Sequence, residues 1–276
     1  AMLEVCQTQI SQRFGVPWHQ DENGRWRETP YSLIGLGKLG GEELNYSSDV
    51  DVMLIYGDEG QTFKAKPRGS NKKGLIASHD YFNQLTEDFI TAVGGATEEG
   101  MLYRIDFRLR PEGDAGPLAR SLASCENYYA QWGELWERLM LIKARPIAGD
   151  AELAAEFIEM TQPFRYPRSL SEAALSEMGA LKRLIEEQVV REGELHRNVK
   201  LGRGGIREVE FIVQTLQLLH AGRQPFLQNS QTLPTLPRLA QYGHLPEADA
   251  DALTEAYRFL RDVEHRLYTD DLRGSG

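Results

Sequence analysis

The chain has 276 residues, 41% hydrophobic and 26% charged, enough apolar material for one large or two small domains with a real core. Its formal charge of −10 argues against the phosphate neutralisation on which non-specific nucleic-acid binding depends, although a nucleotide can be held where metal ions supply positive charge. The two cysteines, Cys6 and Cys125, suggest neither a disulfide framework nor a zinc site, no apolar run reaches membrane-span length, and Ala1–Glu4 lacks a signal-peptide pattern, so a soluble cytoplasmic protein is expected.

Leu3 to Phe14 reads as a short leading helix. Tyr31 to Leu36 is an apolar run ending in glycines, which predicts a buried strand, and Asp49 to Tyr56, entered from Ser47-Ser48, predicts a second. The stretch from Gly57 to Ser78 is rich in Gly, Pro, Ser and Asn, with Lys64, Lys66, Arg68, Lys72 and Lys73, and reads as a loop with a solvated basic surface. Ser78 is placed to cap a helix reaching about Val93, striped by Tyr81, Phe82, Leu85, Phe89 and Ile90. From Leu102 to Leu109 the residues alternate as in a strand, with Ile105, Phe107 and Leu109 on one face and Arg104, Asp106, Arg108 and Arg110 on the other.

Beyond the turn-rich stretch Pro111 to Pro117 the pattern is helical. Tyr128, Trp132, Leu135, Trp136 and Leu139 form one stripe, in which the tryptophans read as core rather than as a base-stacking platform. Met178, Leu181, Leu184, Ile185 and Val189 form another, followed by Ile206, Val209, Val213 and Leu216, and then Leu253, Tyr257, Leu260, Val263 and Leu267. The expected class is α+β: a leading helix and connector over 1–30, a sheet-bearing domain over 31–150 and a helical domain over 151–276.

Gly35-Leu36-Gly37-Lys38-Leu39-Gly40 matches the dinucleotide-binding pattern, but the next strand begins too soon for a crossover helix. Glycines here instead let backbone amides approach a phosphate. Asp49 and Asp51, at i and i+2 on a strand, share one face, and Asp106 sits on the charged face of another. Three such carboxylates repel one another unless divalent cations compensate them, the arrangement two-metal phosphoryl transfer needs. Arg104, Arg108 and Arg110 are candidates to grip phosphate oxygens. Lys143 and Arg145 are either ordinary helix C-terminal charges or phosphate ligands. No histidine pair has metal-ligand spacing, and nothing local supports a Ser-His-Asp triad.

The glycine motif with Gly41, Glu43-Leu44-Asn45-Tyr46-Ser47-Ser48-Asp49-Val50-Asp51, Arg104 to Pro111, Gly113 to Leu118, Trp136-Glu137-Arg138, Lys143-Ala144-Arg145 and Gly204-Gly205-Ile206-Arg207-Glu208-Val209-Glu210-Phe211 together resemble the glutamine synthetase adenylyltransferase family. The resemblance implies a DNA polymerase beta-like nucleotidyltransferase fold with a following helical domain. It implies two Mg²⁺ ions held by Asp49, Asp51 and Asp106, with Gly40, Gly41, Ser48, Arg108, Arg110 and Lys143 as the nucleotide- and phosphate-binding set. Members have two similar halves, one removing AMP from a tyrosine of glutamine synthetase by phosphorolysis to ADP, the other attaching it from ATP. Asn45, Gly113 to Leu118, Tyr128-Tyr129 and Lys200-Leu201-Gly202 resemble the removing half, so the chain is expected to be that part of a longer protein. Implied partners are glutamine synthetase, PII signal proteins, ADP or ATP, and inorganic phosphate, with no nucleic acid and no membrane. Attachment of AMP, or a non-catalytic module docking a regulator through Leu170 to Leu267, remain the alternatives.

Overall fold

The computed structural model describes residues 1–45, 48–69, 72–98, 100–101, 103–170, 176, 179–180 and 198–273. The chain is mixed α+β and divides into two compact units, one made of 1–40, 48–133 and 144–161, the other of 41–47, 134–143 and 162–276.

The first unit opens with α1 (Met2–Phe14), β1 (Val16–Gln20) and β2 (Trp26–Glu28), then β3 (Tyr31–Gly35), the one-turn helix α2 (Gly37–Gly40), β4 (Val50–Tyr56) and β5 (Gln61–Phe63). The long helix α3 (Ser78–Gly94) leads to the short strands β6 (Ala96–Thr97), β7 (Gly100–Met101) and β8 (Ile105–Asp106). After β9 (Ala119–Ser121) and α4 (Leu122–Gln131), the unit is completed by β10 (Arg145–Gly149) and α6 (Ala151–Met160). Between α4 and β10 lies α5 (Leu135–Ile142), which belongs to the second unit.

β4 is the centre of the main sheet, antiparallel to β3 and parallel to β8 and β9, with β10 antiparallel on the far side of β3. Its sequence, Val-Asp-Val-Met-Leu-Ile-Tyr, is nearly all apolar because both faces are covered, and Val52 to Tyr56 are all buried. On one face Leu33, Val52, Leu54 and Tyr56 pack with Leu3, Cys6 and Ile10 of α1 and Tyr81, Phe82 and Leu85 of α3. The Tyr56 and Phe82 rings stack with centroids 4.6 Å apart. The other face of β4, carrying Met53 and Ile55, begins with Asp51 by the two-residue period. The antiparallel pairing of β3 with β4, Leu33 opposite Leu54, is incompatible with a crossover helix between them.

β1, β2 and β5 form a separate antiparallel sheet in the order β2-β1-β5, where no strand was predicted. The helix predicted from a Ser78 cap begins at Ser78 itself, with Ala77 in the cap position. The strand predicted over Leu102 to Leu109 is reduced to Ile105–Asp106, because the Arg108 N–H turns back to Asp106 Oδ1 at 2.7 Å and leaves the ladder. The stripe from Tyr128 to Leu139 is split between α4 and α5, with Trp132, expected in the core, 71% exposed at the break. A new helix starts there because Glu134 and Glu137 form a reciprocal capping box.

The second unit contains α5, α7 (Gln162–Arg165), α8 (Ile206–His220), α9 (Thr232–Gln241) and α10 (Glu247–Arg273). Leu135, Leu139, Ile206, Val209, Val213 and Tyr257 are part of its apolar core, matching the stripe predicted for α8 and the first half of that for α10, whose Leu267 is 53% exposed. The stripe of Met178, Leu181, Leu184, Ile185 and Val189 lies outside the described residues, as do Tyr46, Ser47 and Leu102. Among the described residues no helix is long and apolar enough to cross a membrane.

Candidate active site

Asp51 and Asp106 are register partners across the parallel β4–β8 ladder, next to Val50 paired with Ile105. Partners on parallel strands project to the same side of a sheet, so Asp51 and Asp106 share a face, while Asp49 stands in the chain just before β4. Asp49, Asp106, Phe107, Arg108, Arg110 and Asp114 line a cleft of about 410 Å³ beside the end of this ladder.

The carboxylates are closely managed by their neighbours. Arg104 Nε donates to Asp49 Oδ1 at 2.9 Å, while Arg108 forks onto Asp106, with Nη2 2.5 Å from Oδ2 and Nε 3.1 Å from Oδ1. Burial pushes the Asp106 carboxyl up, but the Arg108 side chain, its backbone N–H and the charge of Arg110 together hold it below the usual carboxylate range. With Asp49 and Asp106 turned to arginines, no three His, Cys, Asp or Glu side chains among the described residues are placed to hold a metal ion.

Asp51 is seated against the glycine turn. Gly37 has φ +50°, and a Cβ there would stand 2.2 Å from Asp51 Oδ2. The turn is therefore glycine both for its left-handed backbone and for the approach of the carboxylate. The Leu36 N–H donates to the Asp51 carbonyl at 2.9 Å, fixing the turn to the start of β4. Lys38 Nζ donates to the buried Ser48 hydroxyl at 3.3 Å, and Arg145 donates to the carbonyls of Leu39 and Gly40 at 3.0 and 3.3 Å. Arg145 thus sits at the C-terminal carbonyls of α2, not at those of the helix it follows in sequence, where a closing charge was one of the two expectations.

Arg110 and Lys143 have protein partners where phosphate contacts were expected. Arg110 is 6% exposed and donates to the carbonyls of Phe107, Gly116 and Pro117. Lys143, in the second unit, is 5% exposed and donates to Glu43 at 2.8 Å and Glu210 at 2.7 Å, and Tyr257 Oη donates to the same two carboxylates at 3.0 Å. Glu43 also accepts the Thr232 N–H at 2.9 Å. Gly41 belongs to this unit too, beside Lys143 and the Ser230 carbonyl. Gly40, Ser48, the three aspartates, Arg108 and Arg110 all belong to the first.

Sequence reasoning assigned no role to Glu43, Glu210 or Asp114, and read Gly37 as facing a phosphate rather than the Asp51 carboxylate. Glu43 and Glu210 stand inside the motifs that carry the family resemblance, but a motif does not reveal that two carboxylates 167 positions apart share one ammonium group.

Comparison with known proteins identifies the family. The family model for glutamate-ammonia ligase adenylyltransferase matches residues 1–160, and the model described as GlnD PII-uridylyltransferase matches residues 179–274. Curated proteins named bifunctional glutamine synthetase adenylyltransferase/adenylyl-removing enzyme are similar over nearly the whole chain. The protein from Nitrosococcus oceani is 42% identical over 95% of this chain and 26% of its own length. That from Aromatoleum aromaticum is 40% identical over 98% and 27%, and that from Pseudomonas aeruginosa 40% identical over 93% and 25%. The chain thus spans about a quarter of the length of these relatives. With more than half of its residues matched by that family model, the chain belongs to the glutamate-ammonia ligase adenylyltransferases, a family of nucleotidyltransferase enzymes.

Proposed function

We propose that this chain removes AMP from an adenylyl-tyrosine of glutamine synthetase by phosphorolysis, in a DNA polymerase beta-like domain over 31–150 followed by a helical domain over 151–276. The observation that carries the reading is the register of Asp51 with Asp106, next to a cleft that Asp106 lines together with Asp49, Arg108 and Arg110. The names of the relatives supply the substrate, and the removing-half motifs favour the direction. The match to a PII-uridylyltransferase family over residues 179–274 supports a PII signal protein as a regulatory partner.

The three aspartates fit Mg²⁺ in kind, since they offer only the hard oxygen donors that the ion takes. Held there, one or two Mg²⁺ would supply positive charge to the phosphoryl oxygens. An oxygen of inorganic phosphate attacks the phosphorus of adenylyl-tyrosine in line, the bond from phosphorus to the tyrosine oxygen breaks, and ADP and tyrosine are the products. The leaving phenol has an ordinary pKa of about 10, so it departs more readily than an alkoxide. Gly40 and Ser48 cradle the phosphoryl group, and Arg108 orients the incoming phosphate and offsets charge as it develops.

Asp49→Asn, Asp51→Asn and Asp106→Asn are each expected to lower ADP formation from adenylylated glutamine synthetase by more than about 100-fold with an unchanged circular dichroism spectrum. Retained activity in a folded variant refutes the site. ADP that appears only with phosphate identifies removal, whereas pyrophosphate released from ATP identifies attachment by the same carboxylates. Calorimetry with Mg²⁺ and ADP that detects no binding leaves the non-catalytic reading.

A further inference from the structure

The loop from Phe107 to Leu118 carries much of the cleft wall, yet it makes no ladder of its own after Asp106. Turn hydrogen bonds such as Gly113 N–H to the Arg110 carbonyl and Glu112 N–H to Tyr128 Oη hold its middle, and one side chain ties its two ends. The Arg110 guanidinium reaches the Phe107 carbonyl through Nη1 at 2.7 Å, the Gly116 carbonyl through Nη2 at 3.0 Å and Nε at 3.3 Å, and the Pro117 carbonyl through Nε at 3.0 Å. Phe107 is buried in the sheet core, so one end of this staple is anchored to the fold. At the other end the chain passes so close that a Cβ on Gly116 would lie 2.3 Å from the Pro111 carbonyl oxygen. The loop is thereby closed on itself, with Glu112 in the left-handed region at φ +63° and ion-paired to Arg120.

Resting on the phosphorolysis reading, we propose that Arg110 is a positioning residue, whose buried fork ties Phe107 to Gly116 and Pro117 and so fixes Asp106 and Arg108 in the cleft wall. Three carbonyl dipoles around a cation that is 6% exposed offset its loss of water, and Asp114 lies 4.0 Å away at the cleft side. Only a planar, multidentate donor spans these carbonyls. A lysine offers the same charge at a single point. The chemistry the loop serves is the recognition of an anionic oxygen by Arg108, one residue beyond the stapled Phe107 carbonyl.

Arg110→Lys and Arg110→Gln test this through two readouts. Amide hydrogen exchange over residues 112–118 is expected to quicken by more than about tenfold in both variants, because the charge alone does not restore the staple. The kcat of ADP formation is expected to fall by about 10- to 100-fold in both, while KM for inorganic phosphate moves by less than about threefold. Unchanged exchange overturns the proposal. So does a phosphate KM that rises more than about tenfold in Arg110→Gln but stays near the parent in Arg110→Lys, which would make Arg110 a direct ligand. If Arg110→Gln does not fold, Arg110→Lys decides both readouts. If the parent chain forms no ADP, the phosphorolysis reading fails, and hydrogen exchange still decides whether Arg110 holds the loop.

Discussion

Asp106 Oδ1 accepts the backbone N–H of Arg108 at 2.7 Å while Arg108 Nη2 sits 2.5 Å from the other oxygen of the same carboxylate. The pair ends strand β8, lowers the carboxyl pKa and aims both groups into one cleft. Because the folded pKa lies below the ordinary 3.8, Asp106 contributes stability above that value and loses it as pH falls through the lower folded one. Arg108→Ala is expected to move the Asp106 titration upward, so that the loss begins at higher pH on acidification. A carbon-detected NMR titration of the side chain checks it, and an unmoved midpoint would show that Arg108 is not the cause.

Gly37→Ala should be costly twice over. The residue sits at φ +50°, where a side chain costs about 1–2 kcal/mol, and its Cβ would meet Asp51 Oδ2 at 2.2 Å. Urea unfolding should therefore give a loss of at least about 1 kcal/mol, and activity should fall further than stability because the displaced group is a proposed ligand. A variant with parental stability and activity would mean that the turn has another conformation.

Lys143 lies in a buried cluster in which burial would lower its ammonium pKa, but the charges and hydrogen bonds of Glu210 and Glu43 raise it above the ordinary value. Burial likewise pushes the Glu210 carboxyl up, and Lys143 with Tyr257 holds it down. The lysine's contribution is complete below its unfolded pKa of about 10.4, and the glutamate's above about 4.3, which leaves a plateau at neutral pH. Lys143→Met leaves two buried carboxylates without their cation and should cost about 3–5 kcal/mol at pH 7. Glu210, held down by the lysine, would then take up a proton in the folded state, so the deficit should be smaller at pH 5 than at pH 8. Unfolding curves at both values would contradict this if the deficit were equal.

Ser78 discriminates a cap from a buried hydroxyl. Its Oγ has no partner among the described residues, and Ala77 occupies the cap position. Ser78→Ala should then be neutral or stabilising by up to about 1 kcal/mol, whereas a capping serine would cost about 1 kcal/mol on the same change. The sign of the shift in Tm settles which role the hydroxyl has.

Strong local patterns were readable. The apolar runs of β3 and β4 and the helical periods of α3 and α8 appear in the sequence because each buries a face whose repeat is that of the element, whereas Val5, one of the two apolar residues on which α1 was read, is 50% exposed. β1, β2 and β5 carry mixed residues over three to five positions, too few for a period to emerge. The break between α4 and α5 was hidden for the opposite reason, since Trp132 continues the helical spacing although it projects into solvent.

The candidate site divides along the same line. Sequence alone placed Asp49 and Asp51 at the start of a buried strand behind a glycine turn, because both follow from local patterning. Only the tertiary structure decided that Asp51 lies in register with Asp106, that Arg110 faces carbonyls and that Lys143 faces Glu43 and Glu210. The order of residues supplies each charge but not its distance from any other, and electrostatic partnership falls off within a few ångströms that only folding establishes.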